Sequence, residues 1–123
     1  MLFRSQNGVG VVGGMKLPRT VRVGHLVFAV EALKGRSLRQ QVDGLCDRAT
    51  QKILIEKNLA PGVMAETVMH ELLHAALEVA KTGLDTAAEE RVVNSLTPVL
   101  LMAMRDNRRL FTSMVDAIDG KRS

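Results

Sequence analysis

The sequence predicts an α+β fold in which a small three- to four-stranded sheet packs against one long helix and the helix that follows it. The first half of the chain contains short runs of β-branched and apolar residues separated by glycine and proline, which is typical of strands. The second half repeats apolar residues every three and four positions, which is typical of amphipathic helices. A chain of 123 residues is long enough for one hydrophobic core, so we expect one domain.

The composition limits both the core and the partners. Aromatic residues make up 2% of the chain and there is no Trp or Tyr, so we expect an aliphatic core with Met filling the gaps. The net charge of +4 is spread along the chain and has no aromatics between the basic residues, which favours a solvated basic face over a nucleic-acid surface. A basic nucleic-acid-binding protein is therefore the least favoured of the functions considered below.

The compartment follows from the cysteine count and from the apolar segments. Cys46 is the single cysteine, so no disulfide forms within the chain and nothing requires an oxidising compartment. The opening residues contain neither a signal-peptide apolar region nor a membrane span. We therefore expect a cytoplasmic protein that does not contact a membrane. The sequence leaves the oligomeric state open.

Glycine and proline divide the first half of the chain. Four glycines and Pro18 within residues 1–19 predict a flexible leader, and the domain is expected over residues 20–119. Residues 20–31 predict strand structure that Gly24 and His25 split into a hairpin. Residues 35–44 fit either a loop or a short helix, and residues 45–47 and 51–56 predict a second hairpin.

The helix boundaries are predicted from start and stop signals. Pro61 suits the first turn of a helix over the following apolar repeat, and Gly83 is placed to end it. Thr86 and Glu89 have the spacing of a capping box at the start of the next helix. Pro98 predicts a kink or a break in that helix, and a short last helix is expected to end at Gly120.

The long helix contains His70-Glu71-Leu72-Leu73-His74, which is the H-E-x-x-H pattern on the element that this pattern requires. Because four residues make slightly more than one turn, both imidazoles project from one face and could bind one Zn²⁺ per chain. Glu71 follows the first ligand and is placed to accept a proton from a zinc-activated water, so it is the candidate general base.

A third ligand is expected from Glu89 or Glu90, because the short turn folds the next helix back on the first. On a helical wheel Glu89 faces the motif helix and Glu90 falls toward the flank, but Glu89 is also the partner predicted for the Thr86 cap. Asn94, one turn beyond Glu90, is placed to support it. Both glutamates remain candidates.

Each of these residues also has an ordinary structural interpretation. His70 and His74 would then be core or boundary residues with satisfied nitrogens. Glu89 and Glu90 would form a solvated acidic first turn that the helix dipole stabilises. The combination of a suitable helix, the motif and nearby carboxylates favours a metal site.

Segments on both sides of the motif add a family resemblance. These are Gln51-Lys52-Ile53-Leu54-Ile55, Glu66-Thr67-Val68-Met69 before the motif, Ala75 after it, and Glu89-Glu90-Arg91-Val92-Val93. Over residues 44–107 the chain resembles minimal zincin-like proteins of phages and prophages, which are similar in plan to ImmA/IrrE-type and gluzincin metallopeptidases. The resemblance implies that His70 and His74 bind zinc with Glu89 or Glu90, and that Glu71 is the base.

The same resemblance implies a zinc metallopeptidase that hydrolyses a protein or peptide substrate. Residues 53–56 would be the edge strand that pairs with an extended peptide. Many zincins stabilise the oxyanion with a Tyr or a further His. This chain has no Tyr, so His25 or Arg91 would be the candidates for that role, against their more ordinary interpretation as surface or sheet-packing residues. The alternative function is a non-catalytic, zinc-stabilised interaction module or phage accessory protein.

Overall fold

The computed structural model describes residues 9–12, 14–34 and 43–120, and it has the predicted α+β architecture. Within these residues, six strands precede three helices. The strands are β1 Val9–Val12, β2 Met15–Pro18, β3 Thr20–Val23, β4 Leu26–Leu33, β5 Gly44–Asp47 and β6 Lys52–Glu56. The helices are α1 Pro61–Ala80, α2 Thr86–Asp106 and α3 Arg108–Ile118.

The main sheet has four strands in the order β3-β4-β6-β5. Strands β4 and β6 are parallel, whereas β3 with β4 and β5 with β6 form antiparallel hairpins, so both hairpins predicted in this region are confirmed. Because β6 lies inside the sheet, the prediction that residues 53–56 form an edge strand is wrong. Among the described strands, β5 is the edge on that side.

The core lies between the main sheet and α1. Alternate residues Phe28, Val30 and Ala32 of β4 are buried, as are Ile53 and Ile55 of β6, because successive strand residues point to opposite faces. Helix α1 contributes buried Met64 and Ala75 to the same cluster. The core is aliphatic with Met, as the composition indicates, except that Phe28 lies fully buried within it.

Strands β1 and β2 form a second, two-stranded sheet, which corrects the prediction of a flexible leader at the start of the chain. Residues 9–12 and 15–18, which were predicted to belong to a flexible leader, form an antiparallel hairpin instead. Leu17 of this hairpin is 1% exposed and belongs to the core, so burial of its side chain fixes β2 against the domain. Residues 1–8 and 13 of the predicted leader, and residues 35–42 of the ambiguous segment, lie outside the described residues.

The helix ends differ from the predicted signals. Helix α1 ends at Ala80 because Lys81 takes the left-handed conformation, with φ 53°, before Gly83 is reached. The predicted capping box is wrong: Asp85 caps α2, its Oδ1 accepting a hydrogen bond from the backbone N–H of Ala88 at 2.7 Å. Pro98 does not break α2, which continues to Asp106 and packs on α1.

Helix α3 follows after Asn107 and contacts the end of α2, and Gly120 beyond it has φ +75°, as expected for a helix stop. No residue of α3 is buried. Within the described part of the chain, no helix has both the length and the apolar character needed to cross a membrane.

Candidate metal centre

Helices α1 and α2 bring together three of the residues predicted to bind metal. The imidazole rings of His70 and His74 lie one turn apart on α1, with centroids separated by 4.9 Å. The carboxylate of Glu90 on α2 spans both rings: Oε1 lies 3.0 Å from Nε2 of His70, and Oε2 lies 3.4 Å from Nε2 of His74. One ligand atom from each residue lies within 4.8 Å of the others, so this group could hold a metal ion.

Glu89 contacts the imidazole of His74 on the side opposite Glu90. Its Oε2 lies 2.6 Å from Nδ1 of His74, and its side chain is 11% exposed against 48% for Glu90. Consecutive helix residues differ by about 100° in direction, which lets the two glutamates reach different nitrogens of one ring. The wheel prediction that Glu89 faces α1 is confirmed. Because an ionised carboxylate only accepts hydrogen bonds, this contact favours the tautomer in which Nδ1 carries the proton and Nε2 is left for a metal.

Arg48 completes the set of contacts and was not anticipated from the sequence. It lies in the turn between β5 and β6, and its guanidinium binds both Glu89 and, at 2.8 Å, Oε1 of Glu78 on α1. Arg48 and Glu89 are 41 positions apart in the sequence, and no local pattern joins them. The sequence shows only that Arg48 is a charged residue in the turn of the predicted second hairpin, which does not identify its partners.

Glu71 lies in the interior beside β5. It is 5% exposed, and it accepts a hydrogen bond from the backbone N–H of Cys46. Burial raises the pKa of Glu71 from 4.5 to about 7, against the opposing effect of His74, while the Glu90 charge raises it further. A carboxyl group with a pKa near 7 can both accept and donate a proton at neutral pH.

The backbone of β5 approaches α1 closely at Gly44. A Cβ atom at this position would lie 2.6 Å from Cγ2 of Thr67, a distance that Cβ atoms essentially never show, and 3.1 Å from Oε2 of Glu71, which is tighter than most Cβ contacts. Glycine therefore permits the strand to lie against the helix where the carboxylate of Glu71 is located.

Burial also shifts two neighbouring groups. It lowers the pKa of His70, although the adjacent Glu90 charge opposes that effect. It raises the pKa of the Cys46 thiol to about 11, and the Glu71 charge adds to the increase. Both shifts favour uncharged forms at neutral pH: an imidazole able to bind metal, and an unreactive thiol.

These side chains line an open cleft of about 870 Å³ between β5, α1 and α2. Its carboxylates outnumber its cations: among the described lining residues, Arg48 is the one Lys or Arg, whereas the acidic residues are Asp43, Glu66, Glu71, Glu89 and Glu90. Asn94, proposed as a support for Glu90, also lines it. His25 is exposed in the β3–β4 turn and Arg91 is exposed on α2, and neither is among the described lining residues.

Comparisons of the chain with family models, with curated proteins and with solved structures find no match. The fold and the side-chain geometry are therefore the basis for the functional argument. The zincin-like resemblance stays a prediction.

Proposed function

We propose that the protein is a zinc-dependent peptidase whose metal ligands are His70, His74 and Glu90. The observation that carries this proposal is the convergence of two imidazole Nε2 atoms and one carboxylate in an open cleft, directly beside the buried Glu71. A structural zinc site has four protein ligands, whereas a catalytic site has three and an open position. The group of three ligands supports the catalytic type.

The donor atoms lie close enough together, within 4.8 Å of one another, for one zinc ion to draw them in. Bonds of about 2.0 to 2.1 Å in tetrahedral geometry place ligand atoms about 3.3 Å apart. Oε1 of Glu90 lies 3.0 Å from Nε2 of His70, and Oε2 lies 3.4 Å from Nε2 of His74, so each carboxylate oxygen is near that distance from one imidazole nitrogen. Two neutral imidazoles and one carboxylate are also the ligand types that zinc accepts. Glu89, on Nδ1 of His74, would then hold that ligand in position.

Each residue has a distinct role in hydrolysis. When bound, zinc would supply a water with a pKa of about 7 and polarise the substrate carbonyl. Glu71 would accept the proton of the attacking water and return it to the leaving nitrogen. Its hydrogen bond from the N–H of Cys46 keeps the carboxylate in place between these transfers.

Strand β5 is the surface on which we expect an extended peptide to bind. It is the edge strand of the main sheet among the described strands, and its residues Gly44, Leu45 and Cys46 line the cleft. An edge strand offers unpaired backbone N–H and C=O groups that an added strand can use. This strand replaces residues 53–56 in that role.

The first test measures zinc in the purified protein by mass spectrometry. We expect about one zinc per chain, the stoichiometry of a single site, and a loss of that zinc in the His70→Ala/His74→Ala variant. A folded wild-type protein that remains free of zinc after supplementation would refute the metal centre and, with it, the peptidase.

The second test separates catalysis from a purely structural metal. Glu71→Gln should keep zinc and abolish cleavage of a peptide library, because glutamine cannot accept the proton. Glu66→Gln is the matched control, since Glu66 lies on the same helix and lines the same cleft. If the wild type binds zinc but cleaves no peptide of the library, and neither variant differs from it, the non-catalytic interaction module is the correct function.

A further inference from the structure

One row of residues on α2 forms a wall of the cleft. Thr86, Glu90, Asn94 and Pro98 follow one another at intervals of four residues, and all of them line the cleft. Residues at this spacing lie on one side of a helix. Because α1 packs against both α2 and β5, it forms the floor of the cleft, and α2 and β5 form two of its walls.

Asn94 presents a side-chain amide to this cleft. The residue is exposed and lies one turn beyond Glu90, the proposed metal ligand. Within residues 9–12, 14–34 and 43–120, its side chain has no hydrogen-bond partner. A carboxamide has two N–H donors and one oxygen acceptor, so Asn94 can donate to a ligand and accept from it.

Pro98 leaves a further acceptor on the same row. Within an α-helix the carbonyl of each residue accepts a hydrogen bond from the N–H four positions later, and proline has no N–H. The carbonyl of Asn94 therefore lacks its helical donor, although α2 continues past Pro98 to Asp106. Proline destabilises the interior of a helix, and such breaks of a local rule are concentrated at functional sites.

On the other wall, β5 has backbone groups that point to its free edge. The C=O of Asp43 accepts a hydrogen bond from the N–H of Glu56 at 2.8 Å. Hydrogen-bonded pairs alternate along an antiparallel ladder, so the backbone groups of Gly44 and Cys46 point away from β6. The hydrogen bond from the N–H of Cys46 to Glu71 agrees with this direction. Both groups of Gly44 and the carbonyl of Cys46 are thus left for an added strand.

An extended peptide on β5 has a second edge that also needs partners. Successive residues of a strand direct their N–H and C=O groups alternately to its two edges. One edge pairs with β5, and the other faces α2. Groups on that second edge lose water when the peptide enters the cleft, which is unfavourable unless the protein supplies donors and acceptors. Asn94 carries both on the α2 wall.

We propose that Asn94 binds the backbone of the substrate on the edge that faces away from β5, through its carboxamide and through the carbonyl that Pro98 leaves without a donor. The inference rests on the peptidase function proposed above, and it makes Asn94 a substrate-binding residue rather than a support for Glu90. Because these contacts go to the main chain, the substrate class is an extended segment whose side chain at this position is unrestricted.

Hydroxamates test this inference without requiring cleavage, because they bind zinc reversibly. Acetohydroxamate contacts the metal alone. Trialanine hydroxamate adds a peptide before the metal-binding group, and a succinyl hydroxamate of trialanine adds a peptide after it, so the pair covers both directions along the cleft. Titration of the zinc-loaded protein gives the three affinities.

Asn94→Ala should weaken one of the two trialanine probes by about 2- to 12-fold, the equivalent of one hydrogen bond, and should leave acetohydroxamate unchanged. Pro98→Ala supplies the missing N–H to the Asn94 carbonyl, so it should weaken the same probe while it raises the melting temperature. Ser95→Ala is the matched control, since Ser95 is exposed on α2 and is not among the described lining residues. It should change none of the three affinities.

The same titrations can overturn the inference. If Asn94→Ala leaves both trialanine probes unchanged, Asn94 does not bind the peptide. If it weakens acetohydroxamate as much as the trialanine probes, Asn94 supports the metal ligands instead. In both cases the wild type still binds the probes, so the peptidase proposal stands. An unchanged affinity in Pro98→Ala would refute the role of the Asn94 carbonyl. If no probe binds the zinc-supplemented wild type, the metal centre fails and this inference fails with it.

Discussion

In the cleft between β5, α1 and α2, charged side chains are buried and held by one another, whereas on α3 apolar side chains are exposed. Glu71 and Glu89 are 5% and 8% exposed, while Ile118 is 85% exposed. Both regions depart from the usual partition of polar and apolar residues, in opposite directions. Neither departure stabilises the isolated chain, because buried carboxylates lose hydration and exposed apolar groups gain nothing from folding.

The core supplies the stability that both regions lack. Phe28, Ile55 and Met64 are fully buried between the main sheet and α1, away from the charged side chains. Local rules of sequence and structure fail mainly at functional sites, and here they fail at the cleft and at α3. The two regions thus differ in kind: the cleft gathers buried and half-buried charged groups, and α3 presents exposed apolar area.

The largest effect is expected at Glu90. Glu90→Ala should abolish stoichiometric zinc binding, because it removes a ligand, whereas Glu89→Ala should retain zinc with an affinity lowered about 10- to 100-fold, as for partners of metal-bound histidines. Competition with a chromophoric chelator measures both affinities. The reverse order would make Glu89 the third ligand and Glu90 its support.

The next effect concerns the stability of the metal-free protein. Folded Glu71 keeps its proton up to about pH 7, whereas the unfolded chain releases it near pH 4.5, so stability falls as pH rises between these values. Glu71→Gln does not ionise and should be more stable than wild type by up to about 3 kcal/mol at pH 8.

Urea unfolding in the presence of a chelator, at pH 4 and at pH 8, provides the measurement. The two proteins should be equally stable at pH 4, where both are uncharged at residue 71. Cys46, His74 and Glu90 act on the Glu71 carboxyl in the folded protein and are the same in both chains. An equal stability at pH 8 would show that the carboxylate is hydrated rather than desolvated.

A smaller effect is expected at Arg48. Arg48→Gln removes the cation that binds Glu89 and should weaken zinc binding by about tenfold, the lower end of the range for such support, because the guanidinium reaches His74 only through that carboxylate. Glu78→Gln is the control: it removes the other partner of Arg48 and leaves the Glu89 contact in place. Equal loss in both variants would mean that Arg48 acts only by joining the hairpin to α1.

The sequence was sufficient for the fold class, both hairpins of the main sheet and the motif helix, because these depend on local periodicity and turn residues. It placed His70, His74, Glu89 and Glu90 correctly on two neighbouring helices. The cap of α2 was placed one residue too late, at Thr86 instead of Asp85. Because Asp85 caps the helix, Glu89 does not take part in a capping box, and its carboxylate contacts His74 instead.

The remaining differences depend on tertiary pairing that no local pattern encodes. Strand β6 was taken for an edge, but its parallel pairing with β4 places it inside the sheet. Arg48 reaches Glu89 only because the β5–β6 turn lies beside both helices. Leu17 lies in a glycine-rich segment, and its burial could be recognised only once the hairpin was seen to pack on the core.

The smallest effect is expected on α3 in dilute solution. Ile118→Ser should change the free energy of unfolding by less than about 0.5 kcal/mol, because the side chain is already exposed in the single chain. Phe28→Ala, which truncates a fully buried side chain, should cost about 3 to 5 kcal/mol under the same conditions. A large loss already present in dilute solution would mean that Ile118 is covered within one chain, and the contrast between the cleft and α3 would no longer hold.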